Sequence, residues 1–181
     1  IPYAEDFYSK IEGSLKTSLY KKCNLYRVFS SVEEQNNWLS KMHDVTYENY
    51  ITSSNNELID SPVLSPYGYG KVSRAGRLDV SKYILESRKL FIEQKNLQIE
   101  DFDFSLIEQK RGSFNYKNIS CSHFVFCEGQ HFINNPFFNY LPSKPSKGET
   151  IVIESAEFPA LLINKGCFVY PLSKNTFLVG S

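Results

Sequence analysis

Net charge is what this sequence most plainly lacks: twenty Lys and Arg stand against twenty Asp and Glu. The basic field that attracts nucleic acid or an anionic membrane surface is therefore missing, and neither is expected as a partner. No apolar run approaches the roughly 20 residues of a membrane-spanning helix, and no charged-then-apolar leader opens the sequence. Cysteine is scarce as well. Cys23, Cys121, Cys127 and Cys167 have neither metal-ligand spacing nor the density of a disulfide framework, so free thiols and a cytoplasmic setting are expected. His43, His123 and His131 are scattered, and no metal site is expected from them.

What is present suffices for a core. An apolar fraction of 41%, with 15% aromatic residues, fits a globular chain of one domain or pieces of two. The sequence begins at Ile1 and stops at Ser181 directly after Phe177-Leu178-Val179-Gly180, inside what reads as a strand, so a fragment of a longer protein is expected.

Along the chain, Phe7, Ile11, Leu15 and Leu19 recur every four residues and predict an amphipathic helix over about 3–20. A strand is expected at Leu25 to Phe29. Ser31 with Glu34 then forms a capping box ahead of a second helix starting near Val32. Residues 52–70, rich in Ser, Asn, Pro and Gly, predict a long surface loop, in which Tyr67 and Tyr69 are candidate lid aromatics. A third helix follows, capped by Asp79 or Ser81. Next come a strand from Leu97 to Phe104 and a hairpin turning at Arg111-Gly112-Ser113. Further strands are expected at Thr150 to Glu154, Cys167 to Leu172 and Phe177 to Gly180, the last two joined through Ser173-Lys174-Asn175.

The run Ser122-His123-Phe124-Val125-Phe126-Cys127-Glu128-Gly129 is the most suggestive for function. Successive apolar positions predict a strand covered on both faces, as in parallel sheets, and its glycine end is where a ligand can approach the backbone closely. The expected class is mixed α/β (α+β). Sheet pieces at 22–71 and 136–181 interleave with a nucleotide-fold insert at 72–135, and a helix over 1–21 is expected at the domain interface.

Four ordered elements carry a resemblance: Gly76-Arg77-Leu78-Asp79 before a helix; Phe126-Cys127-Glu128-Gly129; Leu141-Pro142 with Pro145-Ser146-Lys147-Gly148-Glu149; and Tyr170-Pro171 with Leu178-Val179-Gly180. In this order they resemble the D-amino-acid oxidase and glycine oxidase family of FAD-dependent oxidoreductases. The resemblance implies an antiparallel substrate-binding sheet interleaved with part of an FAD-binding Rossmann-like domain. It further implies oxidation of an amine or amino-acid-like substrate by hydride transfer to the flavin.

Carried over residue by residue, the resemblance implies Phe104, Cys127, Glu128 and Gly129 as FAD-binding, and Phe168 and Tyr170 as substrate-binding. Three positions depart from the family's pattern: Glu128 stands where alanine or threonine is common, Phe168 where glycine oxidases carry tyrosine, and Leu172 where they usually carry arginine. The family's phosphate loop and carboxylate-binding arginine would fall before Ile1 and after Ser181, so the chain alone is expected neither to retain FAD nor to turn over. The competing expectation is a free-standing α+β ligand-binding module without catalysis. It would use Tyr67, Tyr69 and the Phe137-Phe138-Asn139-Tyr140 cluster.

Overall fold

The computed structural model describes residues 2–53 and 61–180, so part of the expected loop, 54–60, lies outside the described residues. The fold is mixed α/β, and the chain divides into two compact units. The first contains residues 1–96 and 148–181, the second residues 97–147. The boundaries thus fall later than the expected 71/72 and 135/136. The strand Tyr69–Leu78 pairs along its length within the first unit, and the helix that follows it stays there too.

In the first unit, helix α1 (Pro2–Leu15) stops five residues short of the predicted end. Lys16 takes a left-handed φ of 51°, which breaks the helical run. The Glu12 carboxylate then accepts from the backbone N–H groups of Leu19 and Tyr20, turning the chain into β1 (Tyr20–Val28). Helix α2 (Val32–Met42) starts as the capping box predicts: Ser31 Oγ accepts from Glu34 N at 3.1 Å. The Glu34 carboxylate reaches back one residue further than expected, to Ser30 N at 2.8 Å. After β2 (Ile51–Ser53) and β3 (Tyr69–Leu78), helix α3 (Val80–Glu93) is capped by Asp79, which accepts from Lys82 N at 3.0 Å.

The chain then builds β4 (Ile107–Lys110), β5 (Ser113–Tyr116) and β6 (Ile119–Cys121) in the second unit. It returns to the first with β7 (Thr150–Glu154), β8 (Leu162–Lys165), β9 (Cys167–Pro171) and β10 (Thr176–Gly180).

A seven-stranded sheet organises the first unit in the order β2-β3-β1-β8-β9-β10-β7. The β9–β10 hairpin forms as predicted, closed by Leu172 N donating to Thr176 O at 2.8 Å. β8 escapes a sequence reading, being four residues long and joined to β9 by a turn at Gly166 with φ 75°. Pairing is antiparallel except between β1 and β8, which run parallel over three residue pairs. One face of the sheet is the core: Tyr26, Val28 and Ile163 pack with Tyr69, Phe158 and Leu161, and Phe177 is fully buried. Burying these side chains at roughly 25 cal/mol per Å² of apolar surface is the main source of this unit's stability.

In the second unit β4, β5 and β6 form a three-stranded antiparallel sheet, with the hairpin turn at Gly112 as expected. Two expected strands do not form. The stretch from Leu97 to Asp103 is irregular and leads into a short 3-10 helix, Phe104–Leu106. The run Ser122 to Gly129 is likewise irregular and ends in a second 3-10 helix, Gly129–Asn134.

The reason lies in how that run buries its rings. Phe124 and Phe126 stack on each other at 5.9 Å and meet Phe102 at 6.3 and 5.9 Å, while Val125 between them is 83% exposed. Only one side of the run is covered, so the two-sided burial of a parallel strand is absent. Tyr116, stacked on Phe102 at 4.4 Å, anchors this phenylalanine cluster.

Candidate functional site

Strand alternation and register sort the sheet of the first unit into two faces. Ile163 opposes Val169, and Val169 opposes Val179, on the core side. Tyr170 opposes Leu178, and Asn164 opposes Phe168, on the other side. The two predicted substrate-binding residues therefore share a face, and it is not the packed one.

On that face an open groove of about 610 Å³ runs between the sheet and the start of α3, walled by Leu162, Phe168, Tyr170, Leu178 and Arg77. Arg77 is the residue sequence reasoning missed. It belonged to a quoted motif but carried no role, and a register-dependent position cannot be read from local pattern. From β3 its guanidinium reaches past β1, stacks 4.3 Å from the Tyr170 ring centroid, and donates from Nη1 to Pro171 O at 2.7 Å. A stacked guanidinium holds the phenol ring in place while keeping other N–H donors for a ligand.

Beside the groove the sheet is split. β8 pairs with β1 only at Leu25, Tyr26 and Arg27, so Lys21 to Asn24 have no ladder partner on that side among the described residues. A slot of about 350 Å³ results, lined by Lys21, Cys23, Asn24, Arg77, Tyr170 and Lys174 among others. Burial pushes the Cys23 thiol above its ordinary value, while the charges of Arg77 and Lys21 pull it the other way.

In the second unit, Phe104 opens its 3-10 helix, and its carbonyl accepts the N–H of Ile107. Its ring joins the cluster beside Phe126 at 6.0 Å. Cys127 is exposed. Glu128 is fixed rather than free: its Oε2 accepts from Asn135 Nδ2 at 2.7 Å, and Asn135 is fully buried. Gly129 takes φ 55°, a left-handed conformation that favours glycine, and nothing lies within 4 Å of where a Cβ would stand. A hollow of about 290 Å³ walled by Phe114, Phe124, Phe126 and Phe137 opens on the same unit. Phe104, Cys127, Glu128 and Gly129 are not among the residues that line this hollow.

Of the residues of the competing module reading, Tyr67, Phe137, Phe138 and Tyr140 are exposed, and Phe137 and Phe138 line the hollow. Tyr69 packs on the core beside Tyr26 at 6.2 Å, and Phe137 and Phe138 lie against Phe126 at 6.0 and 5.8 Å. Among the described residues no group of three or more His, Cys, Asp or Glu is arranged to hold a metal, and no helix is long and apolar enough to cross a membrane. No protein-family model matches the sequence.

Proposed function

We propose that this chain is the substrate-binding sheet, together with an FAD-binding segment, of a flavin-dependent oxidoreductase acting on a small amine or amino-acid-like molecule. The observation that carries the reading is the groove face of the first unit. Phe168 and Tyr170 stand there half-buried, away from the core, with a guanidinium stacked on the second ring. The groove of about 610 Å³ lies in the range of small-molecule sites, roughly 300–1,000 Å³.

In this reading Phe168 and Tyr170 wall the carbon skeleton of the substrate, and Phe104, Cys127, Glu128 and Gly129 border the cofactor. FAD supplies the hydride acceptor. With FAD bound, the substrate carbon would give up a hydride to it and the nitrogen a proton, and water would hydrolyse the imine to a carbonyl and ammonia. The protein's part is to orient the substrate.

The test is to express the whole reading frame that encodes this chain, measure bound flavin, and follow anaerobic flavin reduction by a panel of amines and amino acids. Flavin is expected to co-purify, and Phe168→Ala and Tyr170→Ala are expected to raise KM while flavin content holds. A protein that is colourless and takes up no added FAD overturns the proposal.

A further inference from the structure

The slot where the sheet splits is a second cavity, and its lining is chemically one-sided. Three cations, Lys21, Arg77 and Lys174, border it, and among the described residues no carboxylate does. In a chain with as many acids as bases, an unbalanced cluster is a local arrangement rather than a reflection of composition. The nearby acid Glu5 is already paired, with Lys22 at 2.8 Å. Neither Lys21 nor Lys174 has a carboxylate partner among the described residues, and Arg77 commits one N–H to Pro171 O.

Polar donors supplement the charge. Asn24 and Ser173 line the slot, and the side of β1 facing it lacks ladder partners from Lys21 to Asn24 among the described residues. The remaining wall is apolar, made by Tyr26, Leu161, Leu162 and the Tyr170 ring. A lining that combines cations with hydrocarbon is the complement of a carbon chain carrying carboxylates. An inorganic anion would satisfy the cations but leave the apolar wall without a partner.

We propose that this slot binds a small dicarboxylate, held between Lys21, Lys174 and Arg77, beside the Phe168 groove, with which it shares Arg77, Leu162, Tyr170 and Leu172. The site requires no flavin, so it stands whether or not the chain belongs to an oxidoreductase.

Calorimetric titration of the 181-residue chain with succinate, inorganic phosphate and acetate tests the assignment. Succinate is expected to bind tightest. Phosphate lacks contact with the apolar wall, and acetate lacks the second charge. Lys21→Gln and Lys174→Gln, at exposed side chains, are expected to keep the melting temperature of the parent and weaken succinate roughly tenfold each, as loss of a charged hydrogen bond does. Iodoacetamide labelling resolved by peptide mass spectrometry locates the site independently. Succinate is expected to slow alkylation of Cys23, which lines the slot, and to leave the exposed Cys127 unchanged. Phosphate binding as tightly as succinate, lysine variants that bind like the parent, or an unprotected Cys23 would each overturn the proposal.

Discussion

Arg77 on β3 and Pro171 on β9 are joined by a 2.7 Å hydrogen bond across the place of β1 and β8, the two strands between them, which pair with each other at only three positions. The guanidinium thus replaces part of a missing strand pairing, and its stack on Tyr170 fixes the ring that walls both cavities.

Arg77→Ala is therefore expected to cost about 2 kcal/mol, combining a charged hydrogen bond with a partly exposed cation–π contact. Arg77→Lys should recover little of this, since an ammonium on a flexible stem cannot both stack and bridge. Urea unfolding at constant m-value measures both. A lysine variant as stable as the parent would show that charge alone, and not the planar fork, holds the split sheet.

Glu34 makes stability depend on pH. Its carboxylate accepts from Ser30 N and, against a smaller opposing effect of burial, from Arg27 Nε at 2.7 Å, which together hold its pKa below the ordinary glutamate range. A lowered folded-state pKa means a contribution present in full above the unfolded value of about 4.3 and lost as pH falls through the folded value. Comparing the parent with Glu34→Gln across pH 7 to 3, the gap in melting temperature should be widest near neutrality and close in acid. A gap that does not change with pH would refute the assignment.

Two glycines should respond to alanine with opposite signs. Gly13 lies exposed inside α1 with nothing within 4 Å of an added Cβ, so Gly13→Ala should stabilise by about 0.5–1 kcal/mol. At Gly76 an added Cβ would overlap the Tyr20 phenol, which is itself stacked on Tyr8 at 5.5 Å. Gly76→Ala should cost about 1–3 kcal/mol as overpacking. Adding it to a Tyr20→Ala background should cost much less, and a double-mutant cycle showing simple additivity would place the strain elsewhere.

How far the sequence spoke follows from which forces were local. The capping residues Ser31 and Asp79, the Gly112 turn and the β9–β10 hairpin were legible because each rests on neighbours within a few positions. The end of α1 was not, because it is set by the Glu12 carboxylate capturing backbone groups seven and eight residues on. Phe168 and Tyr170 could be placed on one face by alternation, but which face required the parallel β1–β8 pairing, a contact more than 130 residues apart in sequence. Lys21 and Arg77 are register partners on β1 and β3, and Lys174 joins them only through the long-range order of the sheet.

The run from Ser122 to Gly129 misled for a different reason: four apolar residues in succession read as two-sided burial, whereas Phe124 and Phe126 turn inward and Val125 and Cys127 outward. Val125→Ala should accordingly change stability by less than about 0.5 kcal/mol, as an exposed site does. Phe177→Ala provides the contrast. Its ring is fully buried, meets Phe158 edge-on at 5.2 Å and sits on β10 between β7 and β9, so truncation should cost roughly 3–5 kcal/mol through lost burial and the cavity left behind. Chemical denaturation of both variants decides the matter. A Val125→Ala loss approaching that of Phe177→Ala would mean that the run is a two-sided buried strand after all.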